Sequence, residues 1–188
     1  MSTEAVLEER RIDARRNHEQ IIDGAIRVLG EHPGASLQEI AAEAGLHRAT
    51  LHRHFRSRED LLVAIRRRGV ERVLRTYDDV EAMELEPGEA LAVAARRILE
   101  GALPDAVWTF GTYYGEGADE YRPEMTERGT ALVAAAQRAG AVRSDMPPRT
   151  LYAVWGGTGY AMLPLVRSGV LDLDGAVEVV LATLRGAA

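Results

Sequence analysis

A chain of 188 residues without cysteine has no disulfide or thiol chemistry, and a zinc site in it would need His and carboxylate ligands alone. Hydrophobic residues make up 46% of the chain and aromatic residues 5%, and Ala, Leu, Val and Glu recur in spacings that favour helices. The net charge of -6 is uneven: residues 1–75 hold 14 Arg against 12 acids, net +2, and residues 76–188 hold 9 Arg against 17 acids, net -8. We therefore expect an all-helical protein that can present a positive face in its first part.

The N-terminal sequence MSTEAVLEERRIDARR carries charges where a signal peptide needs apolar residues. No later segment approaches the roughly 18 to 20 uninterrupted apolar residues of a membrane span. We expect a cytoplasmic protein without a membrane partner.

The first two predicted helices are marked by periodicity and by capping residues. Apolar residues recur at helical spacing over residues 17–32. Ser36 and Glu39 then form a capping-box pattern at the start of a short second helix, residues 37–44. Gly45 follows, and glycine is the residue best suited to the left-handed conformation of a sharp turn.

A third short helix is predicted over residues 48–55, with Leu51 and Phe55 on one face, where they can pack against the second helix. Ser57 then supplies an N-cap for a long fourth helix that extends to about Met83. Two short helices joined by a glycine turn are typical of a helix-turn-helix.

The rest of the chain predicts further helices after a break at Pro87, which suits the first turn of a helix. Their expected positions are residues 88–102, 104–115, 119–139, 148–168 and 173–185. The total is about nine helices.

Three of the five histidines lie in GLHRATLHRHF, which raises the question of a metal site. His47 and His52 are five residues apart, His52 and His54 are two apart, and His47 and His54 are about 10.5 Å apart along a helix. Two histidines ligate one metal from a helix when they are three or four residues apart. No acid or nucleophile stands at a pairing distance either. We predict no metal site, no catalytic residue and no cofactor here.

The face of the third helix opposite Leu51 and Phe55 carries small, polar and basic side chains. They are Ala49, His52, Arg53 and Arg56, flanked by Arg48 and Thr50. No acid follows until Glu59. Such a surface suits a helix in the major groove, where Arg, His and Thr meet base edges and phosphates. The alternative is an ordinary solvated basic face.

The segment LQEIAAEAGLHRATLHRHFRSREDLL, within residues 14–62, resembles the DNA-binding domain of the tetracycline-repressor (TetR) family of bacterial transcriptional regulators. The IA-x-x-AG turn, the small-Thr-hydrophobic stretch, the HF end and the Ser-basic-Glu-acid-Leu-Leu entry to the fourth helix all match. The remainder matches only in helix count and length. The resemblance implies a three-helix helix-turn-helix DNA-binding domain at residues 14–60. A flexible arm at residues 1–13 precedes it, and a helical effector-binding and dimerisation domain at residues 61–188 follows, joined through the long helix.

Carried over position by position, the resemblance implies contacts with double-stranded operator DNA. The candidate residues are Ser36, His47, Arg48, Ala49, Thr50, His52, Arg53, His54 and Arg58. Ser36 and Thr50 have an alternative role as caps or packing hydroxyls. His47 stands where the family often has a capping Ser or Thr, and His52 where it commonly has Tyr, so the operator sequence should not be taken over from relatives. A protonated His would also strengthen phosphate attraction at lower pH.

The resemblance further implies a small-molecule pocket among the C-terminal helices. The helix at 104–115 is apolar nearly all round, so other helices should surround it. Candidate effector-binding residues are Trp108, Phe110, Tyr113, Tyr114, Tyr121, Met125, Trp155, Tyr160 and Met162. An aromatic wall suits an apolar or aromatic effector. The alternative is that these side chains simply fill the core.

The helices at 148–168 and 173–185 carry apolar stripes that can pack internally or against a second copy. The resemblance implies a homodimer through this pair of helices, and a twofold dimer reads a palindromic operator. Gly156, Gly157 and Gly159 lie inside the first of them without the spacing of a phosphate loop, so we expect close helix approach or room for a pocket.

The sequence therefore predicts a sequence-specific DNA-binding transcriptional regulator, a repressor released from its operator by a small-molecule effector. One alternative is an architectural DNA-binding protein without an effector. Another is a small helical enzyme that uses a group of carboxylates near residue 120. These are Glu116, Asp119, Glu120 and Glu124, which capping and solvation at a helix start also explain.

Overall fold

The computed structural model describes residues 18–43, 45, 47–103 and 122–186, apart from the side chain of Arg48. Within them lie eight helices and no strand: α1 (residues 18–31), α2 (Leu37–Glu43), α3 (Arg48–His54), α4 (Arg58–Glu81), α5 (Pro87–Ala102), α6 (Arg122–Arg138), α7 (Pro148–Arg167) and α8 (Leu173–Arg185). The all-helical prediction is confirmed. The predicted arm at residues 1–13 and the predicted helix at 104–115 lie outside the described residues.

The chain divides into two units, Met1–Ile65 and Arg66–Ala188. The N-terminal unit contains α1, α2, α3 and the start of α4. Its core consists of side chains that α1, α2, α3 and α4 each contribute at helical spacing. The largest fully buried ones are Ile21, Ile22, Leu29, Ile40, Leu51 and Leu61.

The bounds of these helices follow from hydrogen bonds between residues close in sequence. The backbone N–H of Ser36 donates to Oε2 of Glu39 at 2.7 Å, and that of Glu39 donates to Oγ of Ser36 at 3.3 Å, which confirms the capping box. Gly45 has φ +68°, as the predicted turn requires. Ser57 caps α4 by accepting from the backbone N–H of Asp60 at 3.0 Å.

The C-terminal unit packs α5, α6, α7 and α8 with the later part of α4 around one hydrophobic core. Pro87 is the first residue of α5, as predicted. The apolar stripes of the last two helices, such as Leu151 and Trp155 on α7 and Leu184 on α8, are buried within this unit. They are therefore core residues of one chain. No helix in the described residues is both long and apolar enough to cross a membrane.

Candidate DNA-binding helix and ligand cavity

Helix α3 has one buried and one exposed face. Leu51 is fully buried and Phe55 nearly so, and α3 packs against α2, where Ile40 and Ala41 are buried. This is the packing that the spacing of the apolar residues predicts. The opposite face is exposed at Ala49, His52 and Arg53 and half-exposed at Thr50. Small, basic and polar side chains thus project together, and α3 contains no acidic residue.

His47 occupies the N-cap position of α3 without a capping side chain. Its carbonyl accepts from the backbone N–H of Thr50 at 2.8 Å and of Leu51 at 3.1 Å, but its ring makes no cap hydrogen bond. The residue is exposed. The ring is therefore presented at the start of α3, next to the exposed face. The side chain of Arg48 lies outside the described part of the chain.

His54 turns toward the interior of the N-terminal unit. Its ring centroid lies 5.8 Å from that of His18 and 6.4 Å from that of Phe55. Nε2 is buried and has no hydrogen-bond partner among the described residues. Burial, with smaller contributions from the charges of His18 and Arg53, lowers the pKa of His54. The sequence could have indicated this orientation, because His54 follows Leu51 by three residues and therefore lies on the same side of the helix.

Arg58 connects the start of α4 to the turn between α1 and α2. Its Nε donates to the carbonyl of Ala35 at 2.9 Å, and Nη2 donates to the carbonyl of Pro33 at 2.7 Å. Ser36, one residue further on, is exposed and engaged in its capping box. The guanidinium thus holds together the elements that position α3.

The three clustered histidines point in different directions, because His47 and His52 are exposed while His54 packs beside Phe55. Within the described ranges, no three His, Asp or Glu side chains come together where they could hold a metal ion.

A cavity of about 100 Å³ lies inside the C-terminal unit, bounded by α4, α5, α6 and α7. Its wall is mainly apolar and includes Val70, Leu99, Met125, Trp155 and Leu163. Tyr152 also lines it and stacks edge-on against Trp155, with ring centroids 5.8 Å apart.

Three of the nine predicted effector residues line this cavity: Met125, Trp155 and Tyr160. Met162 is half-buried against the core and is not among the described lining residues. The other five lie outside the described residues: Trp108, Phe110, Tyr113, Tyr114 and Tyr121. Tyr160 is half-buried, and burial raises its pKa, so its phenol remains neutral at physiological pH.

Helix α4 contributes residues to the cavity wall that were not predicted from the sequence. Arg72, Thr76 and Tyr77 line the cavity together with Gly69, Val70 and Val73. Their helical spacing places these residues on one face of α4, and this spacing was the feature of the sequence that could have indicated them. Gly156 and Gly159 of α7 also line it, which agrees with the expectation that the glycines leave room for a pocket, whereas Gly157 is exposed.

Comparison with known proteins identifies both units. Residues 21–65 match the family model described as bacterial regulatory proteins, tetR family. Residues 86–185 match the model described as transcriptional regulator SbtR-like, C-terminal domain. The HTH-type transcriptional repressor LfrR of Mycolicibacterium smegmatis is 33% identical over 143 residues, which cover 71% of this chain and 70% of LfrR.

The chain belongs to the TetR family of bacterial transcriptional regulators. The family consists of DNA-binding regulators, so this TetR-family protein is a DNA-binding transcriptional regulator and not an enzyme.

Solved structures of TetR-like regulators share the fold over most of their length. A TetR regulator from Streptomyces coelicolor is 30% identical with a TM-score of 0.61, covering 91% of this chain and 99% of that one. LfrR from Mycobacterium smegmatis, in complex with proflavine, is 26% identical with a TM-score of 0.65, covering 89% and 93%. A TetR-like regulator from Rhodococcus sp. RHA1 is 18% identical with a TM-score of 0.69, covering 89% and 92%, and this likeness shows the fold alone.

Proposed function

We propose that this TetR-family regulator is a cytoplasmic repressor that binds a palindromic operator as a homodimer and releases it when a small molecule occupies the C-terminal cavity. The observation that carries the proposal is the cavity itself. It is lined from α4, the helix that begins at Arg58 in the N-terminal unit and continues into the C-terminal unit. A ligand that favours one position of α4 therefore has a physical route to α3.

We assign DNA recognition to the exposed face of α3. The residues proposed to face the major groove are His47, Arg48, Ala49, Thr50, His52 and Arg53, with Arg48 included through its position alone. Arg and His supply phosphate attraction and base-edge donors, and Ala49 permits close approach. The absence of an acid from α3 supports this orientation, because carboxylates repel the phosphate backbone.

Ser36, His54 and Arg58 receive a positioning role in this proposal. Each has an internal partner or neighbour: Ser36 caps α2, His54 packs beside Phe55, and Arg58 donates to two carbonyls. Their contribution to DNA affinity is then indirect, through the placement of α3.

The dimer is assigned to the outer faces of α7 and α8. Among the described residues, five large hydrophobic side chains are exposed, and three of them lie on these two helices: Val154, Leu165 and Val179. The sequence from Leu151 to Val166 contains no charged residue. A charge-free exposed helix face fits a second copy of the same face in an isologous contact.

Selection of bound DNA from a random pool tests the operator part of the proposal. We expect a palindromic consensus whose half-sites are about one helical turn apart or a multiple of it. A pool that yields no consensus would contradict both the specific regulator and the twofold dimer, and would favour an architectural DNA-binding protein.

Gel shifts on the selected operator then test the assigned face. We expect His52→Ala and Arg53→Ala each to cost about 1–3 kcal/mol of binding free energy, with His52→Ala also relaxing base preference. Arg75→Ala, an exposed arginine on α4, is the matched control and should retain affinity. Equal losses in all three variants would mean that net charge, and not the face of α3, governs binding.

A further inference from the structure

The last turn of α4 carries an unfavourable distribution of charge. Its end includes Asp78, Asp79 and Glu81, and its last turn contains no basic residue. The sequence continues without a basic residue as far as Ala95. Carboxylates near the C-terminus of a helix oppose the helix dipole, and carboxylates three residues apart repel each other. The sequence of α4 by itself therefore disfavours a helical conformation at this end.

Arginines of two neighbouring helices meet these carboxylates. Arg128 of α6 has its Nη1 2.7 Å from Oδ1 of Asp78 and its Nη2 3.4 Å from Oε2 of Glu81. Arg97 of α5 has its Nη1 3.3 Å from Oδ2 of Asp79. The end of α4 thus receives from α5 and α6 the positive charge that its own last turn lacks. We call Arg128, with Asp78 and Glu81, the α4–α6 clamp.

Packing fixes the position of Arg128. Its side chain is 25% exposed, less than the 37% of Arg97, and its guanidinium carbon lies 5.8 Å from the centroid of the Tyr77 ring, over which it is placed. The next residue, Gly129, lies directly against the side chains of Tyr77 and Tyr152. The distance between Arg128 and its carboxylates therefore depends on how closely α6 packs against α4.

The α4–α6 clamp adjoins the ligand cavity. Tyr77 of α4 and Met125 of α6 both line the cavity, and Arg128 follows Met125 by one helical turn. A ligand that shifts α6 relative to α4 would change the distances within the clamp. Separation of Arg128 from its carboxylates would leave the end of α4 with charges that oppose the helix dipole.

We propose that the α4–α6 clamp makes the C-terminal end of α4 conditional on the position of α6, with Arg128 as the positioning residue that transmits a change at the cavity to α4. The transmission rests on the effector function proposed above, in which α4 is the route from the cavity to α3. The clamp itself belongs to the C-terminal unit, so it can be tested without an effector or an operator.

Hydrogen exchange of the full chain, followed by mass spectrometry, measures how often this end of α4 opens. The informative amides are those of Ala82, Met83 and Glu84, which donate to carbonyls three or four residues earlier at 3.0 to 3.2 Å. Arg128→Met removes the charge and keeps an unbranched side chain, and we expect exchange at these amides to become about three- to ten-fold faster. Arg138→Met, which removes an exposed arginine in the last turn of α6, is the matched control and should leave the rates unchanged.

The response to salt distinguishes an ionic clamp from a packing contact. Raising NaCl from about 0.05 to about 0.5 M screens the attraction within the clamp, so exchange in the parent chain should become faster. In Arg128→Met the same change screens the repulsion among the carboxylates, so exchange should become slower. Adding Asp78→Asn to Arg128→Met should also slow exchange, because it removes a carboxylate that has lost its arginine.

The outcomes separate the clamp from its role in regulation. Unchanged exchange in Arg128→Met, or faster exchange with the salt response of the parent chain, overturns the clamp. If Arg128→Met fails to fold, the clamp is tested by Asp78→Asn alone, which should reduce the acceleration by salt and would overturn the clamp if it did not.

A gel shift on the selected operator tests the transmission. We expect Arg128→Met to bind about three-fold or more weakly, because a loosened α4 occupies its operator-competent position in a smaller fraction of molecules, and Arg138→Met to bind as the parent chain does. A reversed salt response with unchanged operator affinity supports the clamp and overturns the transmission.

Discussion

Gly129 of α6 lies directly against the ring of Tyr152 of α7, with no space for a Cβ between them. A Cβ at this position would overlap the Tyr152 ring and lie 2.7 Å from the phenolic oxygen of Tyr77 on α4. Both tyrosines are buried and line the cavity. The absence of a side chain at Gly129 therefore allows α4, α6 and α7 to approach one another closely around the cavity.

Gly129→Ala should destabilise the C-terminal unit and disturb the cavity. The added methyl forces two buried rings to move, and such overpacking costs about 1–3 kcal/mol of folding free energy. This cost exceeds the stabilisation that alanine provides over glycine inside a helix. Urea unfolding followed by circular dichroism measures the free energy of unfolding. Gly69→Ala is the control, because Gly69 is also inside a helix but a Cβ there meets nothing within 4 Å. A Gly129→Ala protein as stable as the Gly69→Ala protein would show that the tyrosines adjust freely.

Arg58→Lys should weaken the N-terminal unit although it keeps the positive charge. Lysine cannot reproduce the two directed hydrogen bonds that the guanidinium makes to the carbonyls of Pro33 and Ala35. We expect a loss of about 1–2 kcal/mol in the free energy of unfolding, at the lower end for hydrogen bonds to charged groups because the site is partly exposed.

The matching experiment compares the stability and the operator affinity of Arg58→Lys. If Arg58 contacted a DNA phosphate directly, the contact would require a positive charge and would tolerate lysine. Unchanged stability together with unchanged operator affinity would therefore favour a direct phosphate contact over a role in positioning α3. Reduced stability, with affinity restored by a stabilising osmolyte, would support positioning.

The sequence was most informative where the determining interactions are local. The capping box of Ser36 and Glu39, the turn at Gly45 and the cap at Ser57 each involve partners within four residues, so each was predictable. The buried face of α3 followed from helical spacing in the same way. The resemblance to the TetR family rested on this local pattern, and the comparisons with known proteins then showed membership of the family.

What escaped prediction depends on partners distant in sequence. Arg58 bonds to carbonyls 23 and 25 residues away, and Arg72 to a carbonyl 29 residues away. The sequence around an arginine on the polar face of a helix does not indicate a hydrogen-bond partner so far away in the chain. The same holds for Thr76, whose neighbours in the cavity wall include residues of α5 and α7 that are distant in sequence.

Acidification should destabilise the N-terminal unit through His54. Burial between His18 and Phe55 favours the neutral ring, so the folded protein takes up this proton at a lower pH than the unfolded chain. The stabilisation is complete above the unfolded pKa of about 6.5 and is lost as the pH falls through the lower folded pKa.

Urea unfolding between pH 7.5 and 5.0 measures this effect. We expect His54→Gln to flatten the decline in the free energy of unfolding, because the neutral amide does not titrate. His52→Gln is the matched control two residues earlier in α3, where the ring is exposed, and it should leave the decline as it is. An identical pH dependence in both variants and the parent chain would contradict the role of His54.

Leu165→Glu should convert the proposed dimer into a monomer. Leu165 is exposed on the charge-free side of α7, and a carboxylate there would face its symmetry-related copy without a partner. Light scattering during gel filtration gives the mass of the protein. A monomer presents a single recognition helix, so it should lose most of the operator affinity.

Val170→Glu is the control. Val170 is more exposed than Leu165, 73% against 38%, but it lies beyond the end of α7. A Leu165→Glu protein that stays dimeric, or an equal effect of Val170→Glu, would place the interface on another surface. The comparison therefore separates a specific helix face from general surface hydrophobicity, which both substitutions reduce.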